Sequence, residues 1–97
     1  MTYIWLDDLR KAPEGYIWVH SVNGAKALLG KPGSYLLDLD HDLGDYASDG
    51  GDAVKLILWM LENGFHENPA YYFIFRYHTA NPVGRENMQA LVERYFR

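Results

Sequence analysis

Residues 35–44 read Tyr35-Leu36-Leu37-Asp38-Leu39-Asp40-His41-Asp42-Leu43-Gly44. An apolar run that breaks into acids and then a glycine is the pattern of a buried strand, Tyr35 to Leu39, whose carboxyl end opens into a loop through Gly50. Residues 51–63 are mostly apolar and close on Gly64, which predicts a well-covered helix. Tyr71-Tyr72-Phe73-Ile74-Phe75 predicts another strand, and Asn81-Pro82 opens a last helix, with Asn as cap and Pro in the first turn. Along that helix Met88, Leu91, Val92 and Tyr95 fall at i, i+3, i+4 and i+7, one apolar stripe that reads as core. Working back toward the start, Ser21 caps a helix that runs through Leu29 and closes at Gly30, with Pro32 beyond. Tyr16-Ile17-Trp18-Val19 is a strand, residues 11–15 are a turn, and Tyr3-Ile4-Trp5-Leu6 is a first strand stopped by Asp7-Asp8. Strand and helix alternate from residue 16 onward. That order implies an α/β domain with a mainly parallel sheet of about four strands and helices on its faces.

A length of 97 residues suits one domain, residues 1–97, and an apolar fraction of 48% with 15% aromatics suits a folded globule rather than a disordered chain. The absence of cysteine excludes disulfides, thiolate metal sites and cysteine nucleophiles together. No apolar run approaches about 18 residues, so no membrane span is expected. Met1-Thr2-Tyr3-Ile4-Trp5 lacks the basic opening of a secretion signal, and a cytoplasmic location is expected. A net charge of −4 argues against nonspecific binding to duplex nucleic acid. The charge is also unevenly spread. No Lys or Arg stands between Lys31 and Lys55, and that gap holds Asp38, Asp40, Asp42, Asp45, Asp49 and Asp52. So much uncompensated negative charge calls for solvation or for a cation.

In a parallel sheet, chemistry collects at the carboxyl ends of the strands. Three clusters fall there. Asp7-Asp8 follows the first strand; paired oxygen ligands suit Mg²⁺, and the plainer alternative is one turn residue and one solvated residue. Asp38, Asp40 and Asp42 share a direction for as long as the strand stays extended, and three carboxylates so close repel unless a cation or hydrogen bonds hold them. The same stretch approaches a calcium loop but departs from it twice. Gly44 comes one place late, and Asp49 stands where such a loop has Glu. His41 and His78 can move protons, bind metal, or only hold the acids in place. His20 and His66 lie apart from these acidic clusters and read as surface or capping residues. The third cluster is His78 to Asn87. Here a strand ends and a helix begins, so free backbone N–H groups and a positive dipole end meet the rim. Thr79 and Asn81 add short polar groups, and Arg85 adds a guanidinium able to grip phosphate; ordinary capping and a solvated Arg are the alternative.

Leu6-Asp7-Asp8-Leu9-Arg10 with Pro13 and Gly15, then residues 39–44, then His78-Thr79-Ala80-Asn81-Pro82-Val83-Gly84-Arg85-Glu86-Asn87-Met88, together resemble the cyclic-phosphate-processing receiver-like domain family. The likeness spans nearly the whole chain. It implies a small receiver-like (flavodoxin-like) fold with an altered active site, and metal-dependent processing of cyclic phosphates such as the 2′,3′-cyclic ends of RNA. Thr79 stands where that family usually has Ser, and it keeps the hydroxyl. In ordinary receivers an acidic pair and a strand-end Asp bind Mg²⁺; Asp7, Asp8 and Asp40 look similar. The receiver's switch lysine has no counterpart, since no Lys follows Lys55, which argues against phosphorelay signalling.

The expected function is that of a metal-dependent phosphoesterase acting on the cyclic phosphate of a nucleotide or RNA end. Asp7, Asp8, Asp40 and Asp42 are the candidate ligands of Mg²⁺ or Mn²⁺. His41, His78 and Asp40 are the candidate catalytic groups, and Thr79, Asn81 and Arg85 are the candidate phosphate-binding groups. The alternative is a non-catalytic receiver-like module that binds a nucleotide, a phosphorylated partner or a protein.

Overall fold

The computed structural model of the chain describes residues 1–96. Four strands, β1 (Thr2–Leu6), β2 (Ile17–Val19), β3 (Gly33–Leu39) and β4 (Tyr71–Tyr77), form one parallel sheet in the order β2-β1-β3-β4. Three helices, α1 (Val22–Leu28), α2 (Ala53–Glu62) and α3 (Pro82–Tyr95), follow β2, β3 and β4 in turn. This is the receiver-like α/β architecture the sequence implies. The strands outrun the apolar pattern at both ends: β3 starts at Gly33 and β4 runs to Tyr77, because the register pairs Gly33 with Tyr71 and Leu39 with Tyr77. The loop after β3 is not featureless either, since Gly44–Ser48 forms a short 3-10 helix.

Alternation along the strands sends Ile4, Leu6, Leu37 and Leu39 to one side of the sheet. There they are buried in a single cluster with Val22 and Ala25 of α1, Leu56, Ile57 and Met60 of α2, and Met88 of α3. Because α1 packs on α2 and α2 on α3, all three helices share that face. Handedness supplies the reason. From β2 through β3 to β4 the chain steps across the sheet in one direction, so right-handed crossovers keep α1 and α2 on one side, and α3, which follows the last strand, joins them by packing on α2. The step from β1 to β2 runs the other way, and its connection crosses the opposite face.

That connection, residues 7–16, contains no helix. Tyr16 sets its ring edge against Tyr3 and Trp5, with centroids 5.4 and 5.9 Å away. Trp5 Nε1 donates to the carbonyl of Arg10 at 2.9 Å. The direction of strand addition reverses between β1 and β3, and open parallel sheets receive ligands outside the strand ends at such a switch point. Among the described residues, no helix is long and apolar enough to cross a membrane.

Candidate functional site

The sheet ladder continues one residue past the strands. Asp7 N donates to Val19 O (3.1 Å), Asp40 N to Leu6 O (2.9 Å) and His78 N to Leu39 O (3.1 Å). Asp7, Asp40 and His78 therefore stand abreast on β1, β3 and β4, with one ligand atom of each within 4.8 Å of the others. The His78 ring holds the group together. Its Nδ1 lies 2.7 Å from Asp38 Oδ1 and its Nε2 2.9 Å from Asp7 Oδ2. The ring stacks on Trp5 at 3.7 Å, within 4° of parallel. Both partners are carboxylates, so each ring nitrogen faces a hydrogen-bond acceptor.

Asp7 has no solvent exposure, and a buried carboxylate needs partners. Its Oδ1 accepts from the backbone N–H groups of Leu9 and Arg10, each at 2.8 Å, which also shapes the turn out of β1. Burial pushes the Asp7 carboxyl up. The Arg10 and Leu9 N–H groups and the bond from His78 outweigh that push, and its pKa lies below the usual value.

Arg10 completes the cluster. Nε lies 3.3 Å from Asp7 Oδ2 and Nη2 3.6 Å from Asp40 Oδ2, while Nη1 donates to the carbonyl of His78 at 2.9 Å. One guanidinium thus touches the ends of three strands. The sequence reading gave Arg10 no role; the available signal is its position as the first cation after the acidic pair, three residues beyond Asp7. Two carboxylates and an imidazole nitrogen are donors that a divalent cation accepts, so the residues fit a metal in type. Arg10 lies between Asp7 and Asp40, where a cation shared by the two carboxylates would sit. Its side chain is 53% exposed, which leaves it room to withdraw. Guanidinium and metal are therefore alternatives at this pair.

The other candidates lie elsewhere. The Asp8 carboxylate rests against Gly44, where an added Cβ would collide with Oδ2. Asp42 does not join Asp7 and Asp40: β3 ends at Leu39, the chain leaves extension after Asp40, and the shared direction of alternate residues is lost. Asp42 instead groups with His41 and Asp52. Its Oδ1 lies 2.8 Å from His41 Nδ1, and both its oxygens accept from Asn81 Nδ2, at 3.3 and 3.1 Å. The His41 bond, helped by Asn81, lowers the Asp42 carboxyl against a smaller upward push from burial. The two candidate histidines are thus divided between two clusters.

At the start of α3, Asn81 Oδ1 caps the helix by accepting from Gly84 N at 3.0 Å, and Thr79 Oγ1 accepts from Asn81 N at 3.1 Å. Gly84 is required for close approach, since a Cβ there would overlap the His41 ring. Arg85 Nη2 donates to the carbonyl of Tyr77 at 2.6 Å, which ties the helix to the end of β4. His20 is less isolated than its sequence neighbours suggest, for its ring stacks with Tyr46 and lies 4.6 Å from that of Trp18, tilted by 36°. His66 lies far along the fold from the rim, beside Tyr95 and Phe96.

The family model for the Cyclic-phosphate processing Receiver domain matches residues 2–94. The chain belongs to that family. No curated protein and no solved structure matches the chain. Membership in the cyclic-phosphate-processing receivers links the chain to cyclic phosphates, and the strand ends that carry Asp7, Asp40 and His78 are where a receiver-like sheet meets a ligand.

Proposed function

We propose that the chain is a metal-dependent phosphoesterase that opens a cyclic phosphate, with His78 as its proton donor. The observation that carries this reading is the clamp on His78, whose two ring nitrogens face the Asp38 and Asp7 carboxylates. Opening a cyclic phosphate joins a water oxygen to phosphorus and breaks one ring P–O bond. The departing oxygen needs a proton, and an imidazole on the rim is the group suited to supply it. The entering water must lose a proton. His41 is suited to accept it, because Asp42 holds its Nδ1, which leaves Nε2 as the ring's free nitrogen among the described residues. Mg²⁺ or Mn²⁺ at Asp7 and Asp40, when bound, would polarise a phosphoryl oxygen or acidify water.

The start of α3 offers its positive dipole end to the phosphate. Thr79 and Asn81 stand beside it, and Arg85 reaches an anion there by giving up the Tyr77 carbonyl. The substrate in this reading is the 2′,3′-cyclic phosphate of a nucleotide or RNA end. The second reading is a non-catalytic binding module. It is favoured by one observation: Arg10 already bridges the Asp7–Asp40 pair and offsets part of its charge.

Purified protein incubated with Mg²⁺ or Mn²⁺ and a nucleoside 2′,3′-cyclic phosphate decides between them, with the monoester product followed by phosphorus NMR. The phosphoesterase yields product, and His78→Gln slows it by about 10²–10⁴-fold while the metal still raises Tm. No product and no metal-dependent rise in Tm in the unmutated protein would overturn the reading.

A further inference from the structure

We infer that Trp18, His20 and Tyr46 form a base-stacking platform beside the acidic rim, so that the cyclic phosphate is recognised as part of a nucleoside. This rests on the cyclic-phosphate reading above and names the other half of its ligand. Trp18 and His20 have ring centroids 4.6 Å apart, and His20 and Tyr46 stack at 5.2 Å with 28° between their planes. The ladder is joined to the rim through its first ring, since Trp18 Nε1 donates to the carbonyl of Asp7 at 2.8 Å. His20 follows the last residue of β2, and β2 is the neighbour of β1. Adjacent strands lie about 4.8 Å apart, which sets the end of β2 roughly 5 Å from Asp7 and roughly 10 Å from Asp40. A nucleoside cyclic phosphate has the matching span, because a single ribose ring separates its base from its phosphorus.

The platform is held in place without a ligand. Tyr46 sits on the 3-10 turn Gly44–Ser48, whose N–H and C=O groups close on Leu43 and Asp49: Tyr46 N donates to Leu43 O at 3.0 Å and Asp49 N to Tyr46 O at 2.9 Å. Asp49 then fastens the turn to the start of α1. Its carboxylate accepts from Ser21 Oγ at 2.8 Å and Asn23 Nδ2 at 3.0 Å, and its carbonyl accepts from Asn23 N at 3.2 Å. An aromatic ring fixed beforehand loses little freedom when a base settles on it. Tyr46 nevertheless keeps 46% of its surface exposed, although Leu43, three residues earlier, is wholly buried. Tyr46 therefore fills no core, and it offers aromatic surface to the solvent next to the rim. The platform takes up the base itself, by stacking. Every base has a π-face, so the platform tolerates all four.

Thermal-shift titrations with adenosine 2′,3′-cyclic phosphate and with glycerol 1,2-cyclic phosphate, which has no base, test the platform. The adenosine compound is expected to bind about tenfold tighter. Tyr46→Ala should remove that advantage and leave the affinity for the glycerol compound unchanged, while Tyr46→Phe keeps the advantage; circular dichroism verifies that both variants fold. A short RNA carrying the same cyclic end distinguishes the two sources of the ligand. Whether it or the free nucleotide binds tighter, a stacking preference lost in Tyr46→Ala supports the platform. Equal affinity for the two small compounds in the unmutated protein, or an intact preference in Tyr46→Ala, overturns the platform and leaves the phosphoesterase reading standing. Binding of neither compound overturns both.

Discussion

His78 and His41 carry the same ring, and each brings a nitrogen within 2.8 Å of an aspartate, yet the two clusters differ in depth and reach. The partners of His78 lie 40 and 71 positions away along the chain, and the Asp7 side chain among them is almost wholly buried. The partner of His41 is the next residue, and its side chain is 62% exposed. A charge pair removed from water interacts strongly and must stay paired, whereas a pair in water is screened and costs little to separate. The deep cluster fixes its geometry through three strands. The shallow one is set by a turn and by contact with the start of α3.

Removing one acid from each cluster challenges this contrast most directly. Asp7→Ala leaves His78 and Arg10 short of a partner and strands two backbone N–H groups, so it should lower stability by about 3 kcal/mol in chemical denaturation. Asp42→Ala should cost about 1 kcal/mol or less. Similar losses for the two would erase the distinction of depth. Gly84→Ala comes next. The new methyl overlaps the His41 ring, and a forced shift of this kind costs about 1–3 kcal/mol. His41 should move while the ring stacking of His78 on Trp5 is preserved, which the NMR shifts of the two imidazoles report separately.

A further test concerns the cation. Arg10→Gln takes away the group that competes for Asp7 and Asp40, so Mn²⁺ should raise Tm more in the variant than in the unmutated protein. A smaller rise would mean that Arg10 prepares the carboxylates for metal instead of competing with it. The smallest expected effect is a titration on the strand that carries His78. Burial, with the Glu93 charge adding to it, pushes Tyr77 up to about 12. The folded state therefore holds this proton more tightly than the unfolded chain, in which a tyrosine titrates near 10. The resulting stability is fully present below about pH 10 and is lost as pH rises through about 12. Tyr77→Phe should flatten the fall in stability across that window, and an unchanged slope would assign the fall to other groups.

Much of the framework is written locally. The apolar runs at Tyr3–Leu6 and Tyr35–Leu39, the cap residues Ser21 and Asn81, and the stops at Gly30 and Gly64 each depend on residues within a few positions, so the order of strands and helices can be read directly. The same holds for the arrival of Asp7, Asp40 and His78 at strand ends. What could not be read was which side chains face one another there. Asp8 and Asp42 look equivalent to Asp7 and Asp40 in the sequence, but a turn of backbone sends one against Gly44 and the other toward Asn81. His20 shows no company in the chain and gains Tyr46 only because the loop after β3 reaches back over β2.

The α/β alternation, the caps and the acidic strand ends follow from the sequence alone, because backbone periodicity and capping are short-range effects. Only the folded chain puts His78 between Asp38 and Asp7, sets Arg10 between Asp7 and Asp40, and lays all three helices on one face. Those outcomes follow from crossover handedness and strand register, which bring together residues up to 71 positions apart and leave no trace in any local pattern.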